Sequence, residues 1–578
     1  MLKRKLAGTK YGEEDYIVDM VTAFEGKTKR LFDGEATNYT VDFGSTRDND
    51  RTSGVIRGRL SLTATEVGST FEDVIKRVMD SCLNLLRGQE VKYILLVGGF
   101  GESAYLRRKM TQLFGRHGVI VITVEEQTKK AAAEGAIIWY IKQSVVARIA
   151  RVTLGKHEWP VYNPKDPEHR KRKWSKLTDI DGVLRIPSKF RVLIRKGTRI
   201  ESDFAVQDQA YRTSRTLQDL LTDFKSTIGV YDGDEVPQWI TDTKGKRLSQ
   251  MRHLCNLKAD MSGLRGTLQP STGPVGPYYA TSFTVCIRLG GTKLQARLQW
   301  EQDGILCEGP ITILPGALAS EASLRPASEH VLRARSRGWR TASAALLPNL
   351  DLPSRTPRHA VAFDIGTTNS AVSYTYLYPD DYARAKVIPT LLAYRNGQCK
   401  AVGAEAVEYM EDSFYDVAKW FKLHLHPPSM KRSNQLPPYA SICGASSFDI
   451  PPLPPLVTVQ QVYTDFMRYL MENVERAFEQ SIPNGAAIWS RLRDAMIVIL
   501  TTPNGWDFTQ QAILRNAAIK AGLVSEERAY DLLEFVTEGE ASVHYVLAYS
   551  LSKTWLAPNT LFAVIDAGGS TVDSTLYD

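Results

Sequence analysis

Apolar residues recur at helical spacing through Val67, Phe71, Val74, Ile75, Val78, Cys82, Leu85 and Leu86, which predicts one amphipathic helix. The run Tyr93-Ile94-Leu95-Leu96-Val97 follows and ends on Gly98-Gly99; an unbroken apolar run of this length reads as a strand buried on both faces. Ser103 then suits the N-cap of a second helix carrying Leu106 and Met110. Residues 1–145 therefore alternate helix and strand. Residues 146–315 change to short β-type stretches, such as Phe190–Ile194 and Thr284–Ile287, between Gly, Asp and Pro turns, with a helix around Leu217–Phe224. Residues 359–578 return to α/β. There Met496–Leu500 reads as a strand leading through Thr501-Thr502-Pro503-Asn504-Gly505 into a helix, with Asp507 and Gln510 at capping-box spacing and Gly522 as its stop.

Between the last two blocks, residues 316–358 carry seven Arg and no Lys, and contain no Ile, Phe or Tyr. This composition predicts a linker or a seam that offers little to a buried core, cut by protease before its flanks.

Composition narrows the class. The chain has 578 residues, 43% hydrophobic and 24% charged, enough for several domains with cores of their own. A net charge of +8 is diluted over that length, and the runs Arg170-Lys171-Arg172-Lys173 and Arg333/Arg335/Arg337/Arg340 read as solvated loop faces, so no nucleic-acid partner is expected. Six scattered cysteines form no CxxC pair and no zinc-ligand spacing, which suits a reducing compartment. The N-terminus has no signal-peptide core, and no apolar run is long enough to span a bilayer. A cytoplasmic protein, or a nuclear one, is the expectation, with no membrane partner.

Three glycine turns, each after a short apolar strand, could carry chemistry. They are Asp364-Ile365-Gly366-Thr367-Thr368-Asn369-Ser370, Asp566-Ala567-Gly568-Gly569-Ser570-Thr571-Val572-Asp573, and Val97-Gly98-Gly99-Phe100-Gly101-Glu102-Ser103. Glycine lets backbone N–H groups close on phosphate oxygens, and Thr and Ser add hydroxyl donors. An Asp at a strand end can hold the water shell of Mg²⁺. Two such hairpins facing each other would clasp a triphosphate.

The wording of these turns resembles the heat-shock protein 70 family, with its actin-like, ribonuclease-H-like ATPase fold, and is nearest the divergent branch common in fungi. The Asp364 turn is similar to that family's first phosphate loop, the Asp566 turn to its second, Val97-Gly98-Gly99 to its adenosine loop, and Val498–Pro503 to its connecting segment. The match covers about residues 10–140 and 360–578.

The resemblance implies ATP/ADP and Mg²⁺ as cofactors, with Asp364 and Asp566 holding the metal through water. It implies phosphate contacts from Gly366, Thr367, Thr368 and Asn369 on one side and Gly568, Gly569, Ser570 and Thr571 on the other. Lys419, with Lys422 as the alternative register, matches the lysine that orients the attacking water. Glu538 falls where a carboxylate stands near the metal waters, and Gly98, Gly99, Glu25, Lys29 and Arg30 match the adenosine side. The implied activity is slow ATP hydrolysis driving lobe closure, chaperone-like or regulatory, with a protein client or partner at the β-rich domain. Alternatives are a non-hydrolysing nucleotide-dependent interaction protein and an inactive fusion product.

There are departures. Ser570 stands where the family's chaperones have a third glycine, the usual base-stacking arginine is replaced by Glu102-Ser103, and no interdomain linker or helical lid is found, which argues against peptide chaperoning. The order is also reversed: the second-lobe half is residues 1–145, a β-rich C-terminal-type domain is 146–315, the seam is 316–358, and the first-lobe half with both phosphate loops is 359–578. Joining residue 578 to residue 1 restores the order with a few dozen residues missing. That points to the tail of one gene fused to the head of a tandem copy ahead of a circular permutation, and to self-association through surface left uncovered.

Overall fold

The computed structural model describes residues 1–315, 359–549 and 560–577, apart from 124–129, 143–144, 146, 202–203, 223, 260, 263–267, 269, 275, 290–293, 303–304, 376–381, 428–449 and 570–571. The expected seam at 316–358, and with it the Arg333–Arg340 series, lies outside the described residues, as do Ser570 and Thr571. The chain divides into two compact units: Met1–Ser144 with Thr356–Trp506 and Leu514–Asp578, and Val145–Arg355 with Asp507–Ile513.

The first unit is mixed α/β and holds two sheets of like topology. One has five strands in the spatial order Tyr382–Pro389, Asn369–Thr375, Ala360–Ile365, Ile497–Thr502, Leu533–Thr537. Its first two pairings are antiparallel and its last two parallel. The other has four strands in the order Val572–Tyr577, Phe562–Ala567, Tyr93–Val97, Ile120–Thr123, antiparallel once and then parallel twice. In each, a hairpin beginning with an apolar strand that ends in Asp is extended by parallel strands. In the second sheet that hairpin comes from the far end of the sequence: Phe562 lies opposite Tyr93, and Asp566 opposite Val97.

Burial explains the strand composition. Ile94, Leu95, Leu96 and Val97 are fully buried, alternately facing two cores. Ile94 and Leu96, with Ala563 and Ile565, pack against Ile75, Val78 and Cys82 of helix Glu72–Leu86 and against Leu106, Met110 and Phe114 of helix Ala104–Gly115. Leu95 and Val97 face Val543, Tyr545 and Val546 of helix Glu538–Tyr549 and Ala131 of helix Ala131–Lys142. These last two helices are joined by Trp139 Nε1–H donating to Glu540 Oε1 (2.7 Å) and Tyr549 O–H to Glu134 Oε2 (3.1 Å). Gly135 lets that pair come close, since a Cβ there would lie 1.9 Å from Ala541 O, and Ala133 reaches Ala371 of the first sheet.

The single helix expected over Val67–Leu86 is two, Ala64–Ser69 and Glu72–Leu86. Ser69 and Thr70 turn their hydroxyls back onto Glu66 O and Val67 O, both at 2.7 Å, and this local bonding ends the first helix.

The second unit holds a nine-stranded antiparallel sheet. Its main path runs Lys189–Ile194, Thr153–Glu158, Phe224–Tyr231, Met251–Ala259, Ile305–Pro315, Gln295–Gln302, Gly276–Arg288, Ala205–Ser214, with Pro270–Gly273 on Gly276–Arg288. Its core gathers Ile228, Leu257, Phe283 and Leu298. The basic run at Arg170–Lys173 is not wholly a solvated face. Arg172 is buried over the Trp239 ring (4.5 Å to the centroid), because Glu168, one helical turn back, receives its guanidinium.

Candidate functional site

The two Asp-bearing hairpins of the first unit meet tip to tip. A side chain built on Gly569 would stand 2.4 Å from Thr368 Oγ1, so the second tip closes on the first only because it carries no Cβ there. Thr367 is buried, Gly366 half-buried, and Thr368 and Asn369 exposed at the first tip. Gly568 is half-buried and Gly569 exposed at the second.

Asp364 ends the central strand of the five-stranded sheet and accepts a hydrogen bond from Thr501 Oγ1 at 2.7 Å. Asp566 ends the matching strand of the other sheet and accepts one from Ser542 Oγ at 3.5 Å. The glycine turn after Tyr93–Val97 fits directly on this second hairpin. Phe100 N–H donates to Ala567 O (2.8 Å), and Gly98, at φ +87°, leaves no room for a Cβ, which would lie 2.2 Å from Asp566 Oδ1. Gly99 is exposed beside it. Asn504, just after the strand Ile497–Thr502, ties the two sheets: its N–H donates to Asp573 Oδ1 (3.2 Å) and its amide to Thr575 Oγ1 (2.5 Å).

Glu538 opens helix Glu538–Tyr549 and is buried, and buried Lys422 donates to its Oε1 at 2.6 Å. Both stand within electrostatic reach of both aspartates. Burial and the charge of Glu538 push Asp364 up to about 6, against the opposing pull of Lys422 and Thr501. Burial, then Glu538, Asp573 and Asp364, push Asp566 well above the carboxylate range. Burial works against the charge of Lys422, yet Glu538 and Asp364 hold its pKa above the usual lysine value. Four carboxylates, those of Asp364, Asp566, Asp573 and Glu538, thus bear on one buried ammonium.

Among the described residues Lys419 makes no hydrogen bond or ion pair with this cluster. It ends the strand Asp416–Lys419 with Nζ 5.4 Å from the Trp420 ring centroid. Trp420 then adopts a left-handed conformation (φ 55°) and turns the chain, so that Lys422, three residues on, enters the cluster. Glu25 and Lys29 pair with each other at 2.6 Å across a π-turn, Phe24–Thr28, and Arg30 is exposed; among the described residues none of the three bonds to the hairpins. Thr501, Asn504 and Ser542 belong to the cluster but escape sequence reasoning. The signal for Ser542 is its i+4 spacing from Glu538 on one helix face; that for Asn504 is its place directly after a buried strand.

No protein-family model and no curated protein matches the chain. Among solved structures it is similar in part to MreB5 of Spiroplasma citri bound to ADP (15% identity, TM-score 0.22, 38% of this chain and 48% of that one). It is likewise similar to the same protein bound to AMPPNP (14%, TM-score 0.18, 32% and 40%). A third is a non-polymerising MamK mutant bound to AMPPNP (13%, TM-score 0.17, 31% and 41%). The matched region spans less than half the length of each of these chains. The site therefore stands on its own side chains.

Proposed function

We propose that the chain binds ATP between its two Asp-bearing hairpins and hydrolyses it slowly, as a heat-shock-protein-70-like ATPase. The observation that carries this reading is the convergence of Asp364, Asp566, Glu538 and Lys422 from two sheets and a helix beneath two glycine turns. Four carboxylates around one buried lysine leave an excess of negative charge, which suits a divalent cation. Among the described residues no group of three or more His, Cys, Asp or Glu is arranged to hold a metal ion by itself. Asp364 and Asp566 would serve as acceptors for the waters of a Mg²⁺ that keeps its own shell, a mode of binding that needs few direct protein ligands. When bound, the ion would neutralise charge developing on the phosphates.

The chain's own residues would do the rest. Backbone N–H groups and hydroxyls of Gly366–Asn369 and Gly568–Thr571 would hold the phosphates. The Lys422 ammonium, fixed by Glu538, is better placed than Lys419 to orient a water in line with the γ-phosphate. Attack forms a P–O bond to that water and breaks the bond to the ADP oxygen, and the water's proton passes to the departing phosphate. Such catalysis is positioning and charge stabilisation. The β-rich unit is the candidate surface for a protein partner, and self-association belongs to the same proposal.

A second reading, nucleotide binding without turnover, is favoured by the tight pairing of Lys422 with Glu538 and by the contact of the hairpin tips, which nucleotide would have to part. Binding stoichiometry measured beside phosphate release separates the two. About one ATP bound per chain with Mg²⁺-dependent release supports hydrolysis, binding without release supports the second reading, and no binding rejects both.

A further inference from the structure

Beside Lys422 the first unit has a small cavity lined by Lys422, Thr501, Tyr463 and Trp506 and otherwise by apolar side chains, Phe363 and Ile365 of the first hairpin among them. Two of these carry orphaned polar atoms. Tyr463, on helix Val459–Ser481, is 1% exposed, and Trp506 is 9% exposed. Among the described residues neither the Tyr463 hydroxyl nor Trp506 Nε1 has a hydrogen-bond partner. An unmade bond at a buried group costs its full desolvation, so two beside one cavity call for a common partner. The lysine supplies a third polar group, since among the described residues one of its three N–H donors is spent, on Glu538. Its Nζ lies over the face of the Trp506 ring, 6.0 Å from the centroid, so the lysine and the indole stand at the same cavity.

We propose that this cavity holds one ordered water that accepts from the Trp506 indole N–H and the Lys422 ammonium and donates to the Tyr463 hydroxyl, making Tyr463 and Trp506 positioning residues for Lys422. A buried water needs two to four polar partners, and this site offers three. The phenol is held rigidly in place, since its ring meets Phe421 edge-on at 5.1 Å and the residue is fully enclosed. It stays protonated, because burial and the nearby charge of Glu538 raise its pKa. With Glu538 on one side and the water on another, the ammonium has two of its three donors fixed, and the third is aimed by their geometry.

The proposal rests on the ATPase reading for its kinetic consequence, while the water itself is tested without turnover. Tyr463→Phe removes only the hydroxyl and keeps the ring against Phe421. In the full chain it should lower kcat for Mg²⁺-ATP about tenfold with KM within about twofold, since a loosened lysine loses alignment rather than binding. Trp506→Phe should do the same, and the double variant should add little. Independently of turnover, a crystal structure should show one water within hydrogen-bond distance of Tyr463 Oη and Trp506 Nε1. The Trp506 indole N–H resonance should shift in Tyr463→Phe. A dry cavity, or Tyr463→Phe turning over like the parent, overturns the proposal. If the parent itself releases no phosphate, the ATPase reading fails and the crystallographic water alone decides this one.

Discussion

At the scale of residues, the candidate site is assembled against stability. Asp364 has a folded pKa raised to about 6, so its contribution to stability is fully present below the unfolded value near 4 and is lost as pH rises through about 6. Asp364→Asn removes that charge while keeping the acceptor for Thr501. We therefore expect it to unfold later than the parent at pH 7.5, by about 1–2 kcal/mol, with the gap closing below pH 4. Urea titrations at the two pH values check this; an equal gap at both would show that the surroundings do not raise the pKa of this carboxyl. Asp566→Asn belongs to the same logic. It should fold at least as stably as the parent and weaken Mg²⁺-dependent ATP binding about tenfold or more, because the hydrated ion loses a charged acceptor. A calorimetric titration with unchanged Mg²⁺ dependence would reduce Asp566 to a turn-forming residue.

Elements come next, because they decide which residues reach the cluster. Apolar periodicity and glycine turns made the strands Ala360–Ile365, Phe562–Ala567, Tyr93–Val97 and Ile497–Thr502 legible, and with them Asp364, Asp566 and Gly98. Which lysine pairs with Glu538 was not legible: a left-handed Trp420 lies between Lys419 and Lys422, and no hydrophobic period records a single reversed φ. The break at Thr70 was equally hidden, since it arises from side chains bonding their own backbone. Gly98 tests how far the elements lock the site. Ala there would need a left-handed φ and would press on Asp566 Oδ1, so Gly98→Ala should destabilise the first unit by about 2 kcal/mol or more and impair ATP binding with it. Gly115→Ala, at a helix position with open space around it, is the matched control and should be neutral or slightly stabilising. If thermal unfolding of the two variants coincides, the turn is not seated on the second hairpin.

For the whole molecule, the decisive feature is that one sheet draws its strands from both ends of the sequence. Local patterning could name each strand but not their order, because pairing between Phe562–Ala567 and Tyr93–Val97 is fixed by two apolar faces finding a shared core, not by any turn between them. That sheet also carries Asp566 and the Gly98 turn, so the site exists only where the pairing does. Leu96 and Ile565 are register partners, both fully buried in one core. Leu96→Ala should cost about 2–5 kcal/mol and Ile565→Val about 0.5–1.5 kcal/mol, as expected for lost packing. Made together in the full chain, they should depart from additivity by at least about 0.5 kcal/mol, because each removes part of the surface the other packs on. Denaturation followed on the first unit's transition measures the cycle. A strictly additive pair would mean that the two ends do not share a sheet within a chain, and the three glycine turns could then not form one nucleotide site.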